Sequence, residues 1–210
     1  MPTLLRVDSS PFPGEASFSR QLTSEFVNHW RKTNPEGRVI ERDLAQTSLA
    51  PLNAAWVAAV YTPAANRTPE QDAMLATSDE LIAELQAADE YVFGVSMHNF
   101  SIPSVLKLWI DQVARAGKTF SYENGAPEGL LKDKKATFMV ATGGVYAQGT
   151  PMAAFNHIEP YLRSVFGFVG VKDVAFINAS GTARARAGVD RATILQPAMA
   201  SIHSQFHAAA

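Results

Sequence analysis

The chain has 210 residues, with 18 basic and 20 acidic side chains, a net charge of -2 and 47% hydrophobic residues. Such a balance excludes a disordered chain, and with no Lys/Arg-rich run it excludes a nucleic-acid binder. Cysteine is absent, which removes disulfide scaffolds, thiol nucleophiles and zinc-thiolate sites, and no apolar stretch approaches the ~20 residues that span a bilayer. The start, Met1-Pro2-Thr3-Leu4-Leu5-Arg6, lacks the charged head and long apolar run of a signal peptide, so a cytoplasmic protein is expected. The length suits one domain over residues 1–210, large enough to bury a core unaided.

Strand-like runs alternate with helical segments along the whole chain. Leu4 to Val7 forms the first strand, broken by Ser9-Ser10-Pro11. A helix follows from about Ser19 to Lys32, where Leu22, Phe26 and Trp30 recur every four residues as one stripe. After Gly37, Arg38 to Leu44 is a second strand. Leu52 to Val60 suggests a short helix in a stretch punctuated by Pro51, Pro63 and Asn66. Thr68-Pro69-Glu70-Gln71 then opens a helix to about Ala88, with a hydroxyl at the cap, Pro at the first helical position and Gln three residues after the cap.

Tyr91 to Ser96 is a third strand, apolar enough to be covered on both faces. The loop Met97 to Ile102 leads to Pro103, which opens a helix ending at Gly117. Thr119 to Tyr122 is a short extended excursion, and Asn124-Gly125 a turn. Ala136 to Thr142 is a fourth strand ending in Gly143-Gly144. A helix between about Ala153 and Phe166, a fifth strand from Val171 to Asn178 and a terminal helix from about Arg184 complete the chain. This alternation predicts an α/β three-layer sandwich: a five-stranded parallel sheet in the flavodoxin-like order 2-1-3-4-5, with helices on both faces.

In such a sheet ligands bind beyond the carboxyl ends of the strands, where the strand order reverses. The loop after strand one, Ser9 to Ser19, offers hydroxyls and amides at a helix start, which suits one phosphate monoester or simply caps a helix. It lacks the lysine of a nucleoside-triphosphate loop and the G-x-G-x-x-G dinucleotide fingerprint. The loop after strand three, Met97-His98-Asn99-Phe100, mixes apolar, polar and aromatic groups, as a flat heterocycle requires, or as a turn flanked by core residues does. Thr142-Gly143-Gly144 after strand four lets backbone approach a ligand, since glycine carries no side chain. No G-x-S-x-G elbow is present, and His29, His157, His203 and His207 have no evident acid and nucleophile partners. His203 and His207 stand four apart, a spacing a metal can use, but without a nearby carboxylate motif they read as a solvated helix face, and no metal is expected.

With these loops placed, the chain resembles the FMN-dependent NADH-azoreductases, also called FMN-dependent NADH:quinone oxidoreductases, over essentially its whole length. The resemblance is carried by Ser9-Ser10 with Ser17-Phe18-Ser19, by Ser78 to Leu85, and by Met97-His98-Asn99-Phe100. Val113 to Phe120, Pro127-Glu128-Gly129-Leu130 and Phe166 to Gly170 complete it. It implies non-covalent FMN, NADH or NADPH as donor, a quinone or azo acceptor reduced by two-electron ping-pong transfer, and a homodimer with active sites at the interface. By that resemblance Ser10, Ser17, Phe18 and Ser19 hold the FMN phosphate. Met97, His98, Asn99 and Phe100 line the ring, and Thr142, Gly143 and Gly144 approach its pyrimidine edge. Phe120, Tyr122 and Phe166 become aromatic walls for the nicotinamide or acceptor, each of which also fits ordinary core. No essential side-chain acid or base is expected, because the chemistry belongs to the flavin.

Two positions depart from the family pattern. His98 stands where members often carry Tyr, and Ala141-Thr142 where they often carry a Ser-Arg pair. The first introduces an imidazole, a group that changes charge around neutral pH, and suggests a tuning of acceptor protonation. The second removes a positive charge beside the flavin loop, with consequences for nicotinamide preference or flavin potential. Rival readings are a flavodoxin-like one-electron carrier, disfavoured because such carriers are usually acidic, and a non-enzymatic flavin-binding module.

Overall fold

A computed structural model describes residues 1–123 and 125–207, His207 by its backbone alone. Asn124 of the expected Asn124-Gly125 turn lies outside the described residues. In chain order the elements are β1 (Thr3–Asp8), α1 (Phe18–Thr33), β2 (Arg38–Asp43), α2 (Ala54–Tyr61), α3 (Pro69–Ala87), β3 (Glu90–Ser96) and α4 (Ser104–Val113). They continue with β4 (Phe120–Ser121), β5 (Glu128–Gly129), β6 (Lys135–Thr142), α5 (Ile158–Val169), β7 (Asp173–Ser180) and α6 (Arg191–His207).

The sheet runs β2-β1-β3-β6-β7, parallel throughout. This is the expected 2-1-3-4-5 order, since β4 and β5 are an antiparallel pair outside it. Central β3 and β6 are buried almost end to end, as strands covered on both faces must be.

Two apolar layers flank the sheet. Against α1 and α6, the stripe Leu22, Phe26 and Trp30 is buried with Leu195, Ala198 and Ile202. On the other face Phe93, Trp109 and Phe138 pack with residues of α3 and α5. Phe93 and Phe138 are neighbours across β3 and β6, and their rings stack at 5.0 Å.

The capping box at α3 forms as its sequence demands. Thr68 Oγ1 accepts from the Gln71 amide at 3.3 Å, and Gln71 Oε1 accepts from the Thr68 amide at 3.0 Å. Within residues 50–67 the chain forms α2, whose Trp56 and Ala59 pack on Leu75 of α3.

Three boundaries differ from expectation. α4 stops at Val113 instead of Gly117, because the Thr119 hydroxyl donates to Val113 O (2.7 Å) and accepts from the Arg115 amide (3.1 Å), which bends the chain early. α5 begins at Ile158, after a short 3-10 turn at Ala153–Phe155. The last helix begins at Arg191, because Gly188, at φ +87°, closes a separate 3-10 turn, Thr182–Ala187. That separation brings a further segment to the functional end of the sheet.

Candidate functional site

β1 and β3 lie side by side, and the order of strands reverses between them. The loop after β1 is tied to β3 at this point. Ser9 donates to Gly94 O from both its amide (3.0 Å) and its hydroxyl (2.7 Å). Gly94 must be glycine here, since a Cβ on it would stand 2.4 Å from Asp8 Oδ1.

The chain then reaches α1, capped by Ser17, whose Oγ accepts from the Arg20 amide at 3.4 Å. The amides of Phe18 and Ser19 donate to no acceptor among the described residues, the usual state of a first helical turn. Around them Ser10, Ser17 and Ser19 are buried, with the Ser17 and Ser19 hydroxyls 3.3 Å apart. Unpaired amides, a helix dipole and converging hydroxyls make an anion cradle.

A four-residue ion network holds this loop. Arg20 donates to both carboxylate oxygens of Asp43, at 2.9 and 2.6 Å, and to Ser10 O at 2.8 Å. Its second acidic neighbour is Asp8, 3.8 Å away, which also accepts from Arg6 Nε and Thr23 Oγ1 at 2.8 Å each. Burial pushes the Asp8 carboxyl above the usual range, against the opposing pull of Arg6, Thr23 and Arg20. Burial also acts to raise Asp43, but hydrogen bonds from Arg20 and the Ala45 amide outweigh it, and the group lies below its ordinary value of 3.8.

A carboxyl lowered on folding stabilises the folded state above its unfolded pKa, and this contribution fades as pH falls through the folded value. Asp43→Asn is therefore expected to lower thermal stability at neutral pH. The gap to the parent protein should narrow as pH drops below 3.8, in melting curves taken across that range.

A cleft of about 420 Å³ opens beside the cradle, within the range of small-molecule sites. The expected residues Ser10, Ser17, Phe18, Ser19, Met97, His98 and Gly143 line it. A Cβ on Gly143 would meet nothing nearer than Ala183 Cβ at 3.9 Å, so the missing side chain leaves room for a ligand and serves no internal packing need. A larger hollow, about 840 Å³, lies near the amino ends of β6 and β7 among Lys132, Lys134, Lys135 and Lys172, at the opposite end of the sheet from the cradle.

Other expected residues take supporting positions. Asn99 and Phe100 form the tip of a tight turn closed by paired His98 and Ser101 backbone bonds (2.9 and 3.0 Å), with φ of +48° and +69°. Positive φ at two consecutive non-glycine residues is costly, and such strain concentrates at ligand sites. Phe100 is exposed, its ring 5.2 Å from Phe155 and 6.3 Å from Tyr146, and neither it nor Asn99 lines the cleft. Thr142 is buried and its hydroxyl donates to Gly144 O at 2.8 Å, tying the loop instead of facing the cleft. Gly144 packs on Tyr146. His98 is exposed, with Nε2 3.2 Å from Ser96 Oγ.

The three expected aromatic walls separate. Phe166 is 3% exposed, edge-on to Phe93 and Phe138, and belongs to the core. Phe168, two residues on and so on the opposite side of α5, is the surface aromatic, 4.6 Å from the Phe120 ring. Phe120, Tyr122 and Phe168 form a patch outside the cleft.

Cleft residues that sequence reasoning missed come mainly from the turn after β7: Thr182, Ala183, Ala185, Arg186 and Arg191. The Arg191 guanidinium sits 3.7 Å above the Phe18 ring and donates to Glu15 O at 2.9 Å. Arg186 has no hydrogen-bond or ion-pair partner among the described residues. The only signal in the sequence was the bracketing of this stretch by Gly181 and Gly188.

Fold and site together define a doubly wound sheet with an anion cradle and an adjoining cleft at the carboxyl ends of its strands. A family model described as a flavodoxin-like fold matches residues 2–205. The chain is 53% identical over 200 residues to an FMN-dependent NADH:quinone oxidoreductase of Acidobacterium capsulatum, covering 95% of this chain and 96% of that one. It is 44% identical over 204 residues to FMN-dependent NADH:quinone oxidoreductase 3 of Burkholderia lata, covering 97% and 98%. Among solved structures, an azoreductase from Bacillus anthracis superposes with a TM-score of 0.87 at 28% identity, covering 98% of this chain and 99% of that one. The chain belongs to the flavodoxin-like family of FMN-dependent NADH:quinone oxidoreductases.

Proposed function

We propose that this chain is an FMN-dependent NAD(P)H oxidoreductase that reduces quinones and azo compounds. The observation that carries this reading is the cradle: unpaired Phe18 and Ser19 amides and buried Ser10, Ser17 and Ser19 hydroxyls opening on a cleft floored by Gly143. It fits the phosphate and ring of FMN, which when bound supplies the two-electron chemistry between nicotinamide and acceptor.

The chain's own residues bind and orient. Met97 and Gly143 line the cleft from the loops that follow β3 and β6. Phe18, held under Arg191, closes the side nearest α1. Arg186 returns to the cleft a positive charge of the kind that Ala141-Thr142 lacks. His98 lines the cleft and is exposed, the position from which we propose that it tunes the protonation of an acceptor. His98→Tyr is expected to change the shape of the pH–rate profile for quinone reduction, and an unchanged profile would remove that role.

The aromatic patch at Phe120, Tyr122 and Phe168 supports a homodimer in which each chain's patch walls the partner's cleft. A two-fold interface of this kind places one surface against its own copy. The double substitution Phe168→Ala and Tyr122→Ala is expected to lower kcat/KM for a quinone about tenfold. FMN affinity should hold while sedimentation shows a weaker dimer. Unchanged kinetics in a monomeric variant would rule the shared site out. A cytoplasmic location fits the absence, among the described residues, of any helix long and apolar enough to cross a membrane. Turnover of NADH and a quinone by the purified protein alone, with parallel reciprocal plots, tests the whole reading, and a requirement for a separate reductase protein would favour an electron carrier.

A further inference from the structure

Away from the cleft, two helices meet around three side chains that the proposed reaction does not use. Glu25 and His29 stand one turn apart on α1, and His203 reaches the same point from α6. Glu25 Oε1 lies 3.0 Å from His29 Nε2 and 3.0 Å from His203 Nε2. The three candidate ligand atoms all lie within 4.8 Å of one another. Tetrahedral zinc with bonds of ~2.0–2.2 Å spaces its ligands about 3.3 Å apart, so the group needs little movement to close on an ion.

The surroundings hold the group in place. The two imidazole rings lie tilted at 48° with their centres 4.5 Å apart, and His29 stacks on Phe206 at 5.7 Å. Phe206 in turn packs edge-on against Phe26 at 5.0 Å, so both helices are fixed by apolar contact beneath the cluster.

We propose that Glu25, His29 and His203 bind a divalent transition-metal ion and thereby staple α1 to α6. Two imidazoles and one carboxylate are a donor set for zinc, nickel, cobalt or copper, and a poor one for magnesium or calcium, which favour all-oxygen shells. The fourth position is left to water. The staple links the two helices that frame the cleft: α1 begins at the phosphate cradle, and Arg191 at the start of α6 lies over Phe18. From Ser17 to Glu25 is about 12 Å along the helix, so the ion and the flavin site stay separate.

The test is calorimetric titration of chelator-treated, FMN-loaded protein with zinc chloride, with magnesium chloride as control. One zinc per chain is expected, with a Kd below ~100 µM and a raised melting temperature. Glu25→Gln, His29→Gln and His203→Gln should each weaken binding about 100-fold, with unchanged FMN affinity and circular dichroism. Binding weaker than ~100 µM, binding in excess of one ion per chain, or a zinc response that survives in His29→Gln and His203→Gln would overturn the assignment.

Discussion

Ser17→Asp is expected to destroy FMN binding while leaving the fold intact. Ser17 is the cap of α1, accepting from the Arg20 amide, and aspartate fills that role as well as serine. A negative charge at a helix start also complements the dipole. The apo protein should therefore melt at or slightly above the temperature of the parent. The same carboxylate stands in the cradle, beside Ser19 Oγ and the unpaired Phe18 and Ser19 amides, where it competes for the donors a phosphate needs. Like charges brought together cost several kcal/mol, so FMN affinity should fall by about 100-fold or more. Fluorescence titration of FMN with the two proteins measures it. An affinity within a few-fold of the parent would place the phosphate elsewhere.

Gly129→Ala is expected to give the largest loss of stability. A Cβ there would lie 2.1 Å from Gly170 N and 2.3 Å from Val169 C, both backbone atoms that cannot rotate away. The contact docks the β4–β5 pair on the end of α5, with Leu131 N donating to Val169 O at 2.9 Å and Leu130 N to Thr119 O at 2.9 Å. Overpacking against rigid backbone costs about 3 kcal/mol, which for a chain of this size lowers the melting temperature by roughly 6–12 °C. The same shift displaces Phe120 from Phe168, so quinone turnover should fall further than FMN affinity. A variant that melts within a degree of the parent would show that the β4–β5 pair is free to move.

The sheet was legible because each strand announced itself as an apolar run and each helix carried a stripe or a cap, as with Leu22, Phe26 and Trp30 or Thr68 to Gln71. Three of the site's loops followed from strand ends alone. What stayed hidden depended on distances along the chain that no local pattern encodes. Arg20 looks like any surface arginine of a first helical turn, yet it is buried between Asp43 and Asp8. Arg186 and Arg191 read in sequence as parts of one continuous helix, because Gly188 marks a stop only through its left-handed backbone. Phe166 and Phe168 are both aromatic positions of one motif, and only the phase of α5 decides which faces the sheet and which faces outward. His203 finds Glu25 across 178 positions of sequence, a pairing that the spacing to His207 could not suggest.

The most direct test of this function is the visible spectrum of the purified protein with FMN, followed during anaerobic addition of NADH or NADPH and then of a quinone. The flavin bands are expected to shift on binding, bleach with the nicotinamide and return with the quinone. Failure to bind FMN, or bound flavin that neither nicotinamide bleaches, would contradict it.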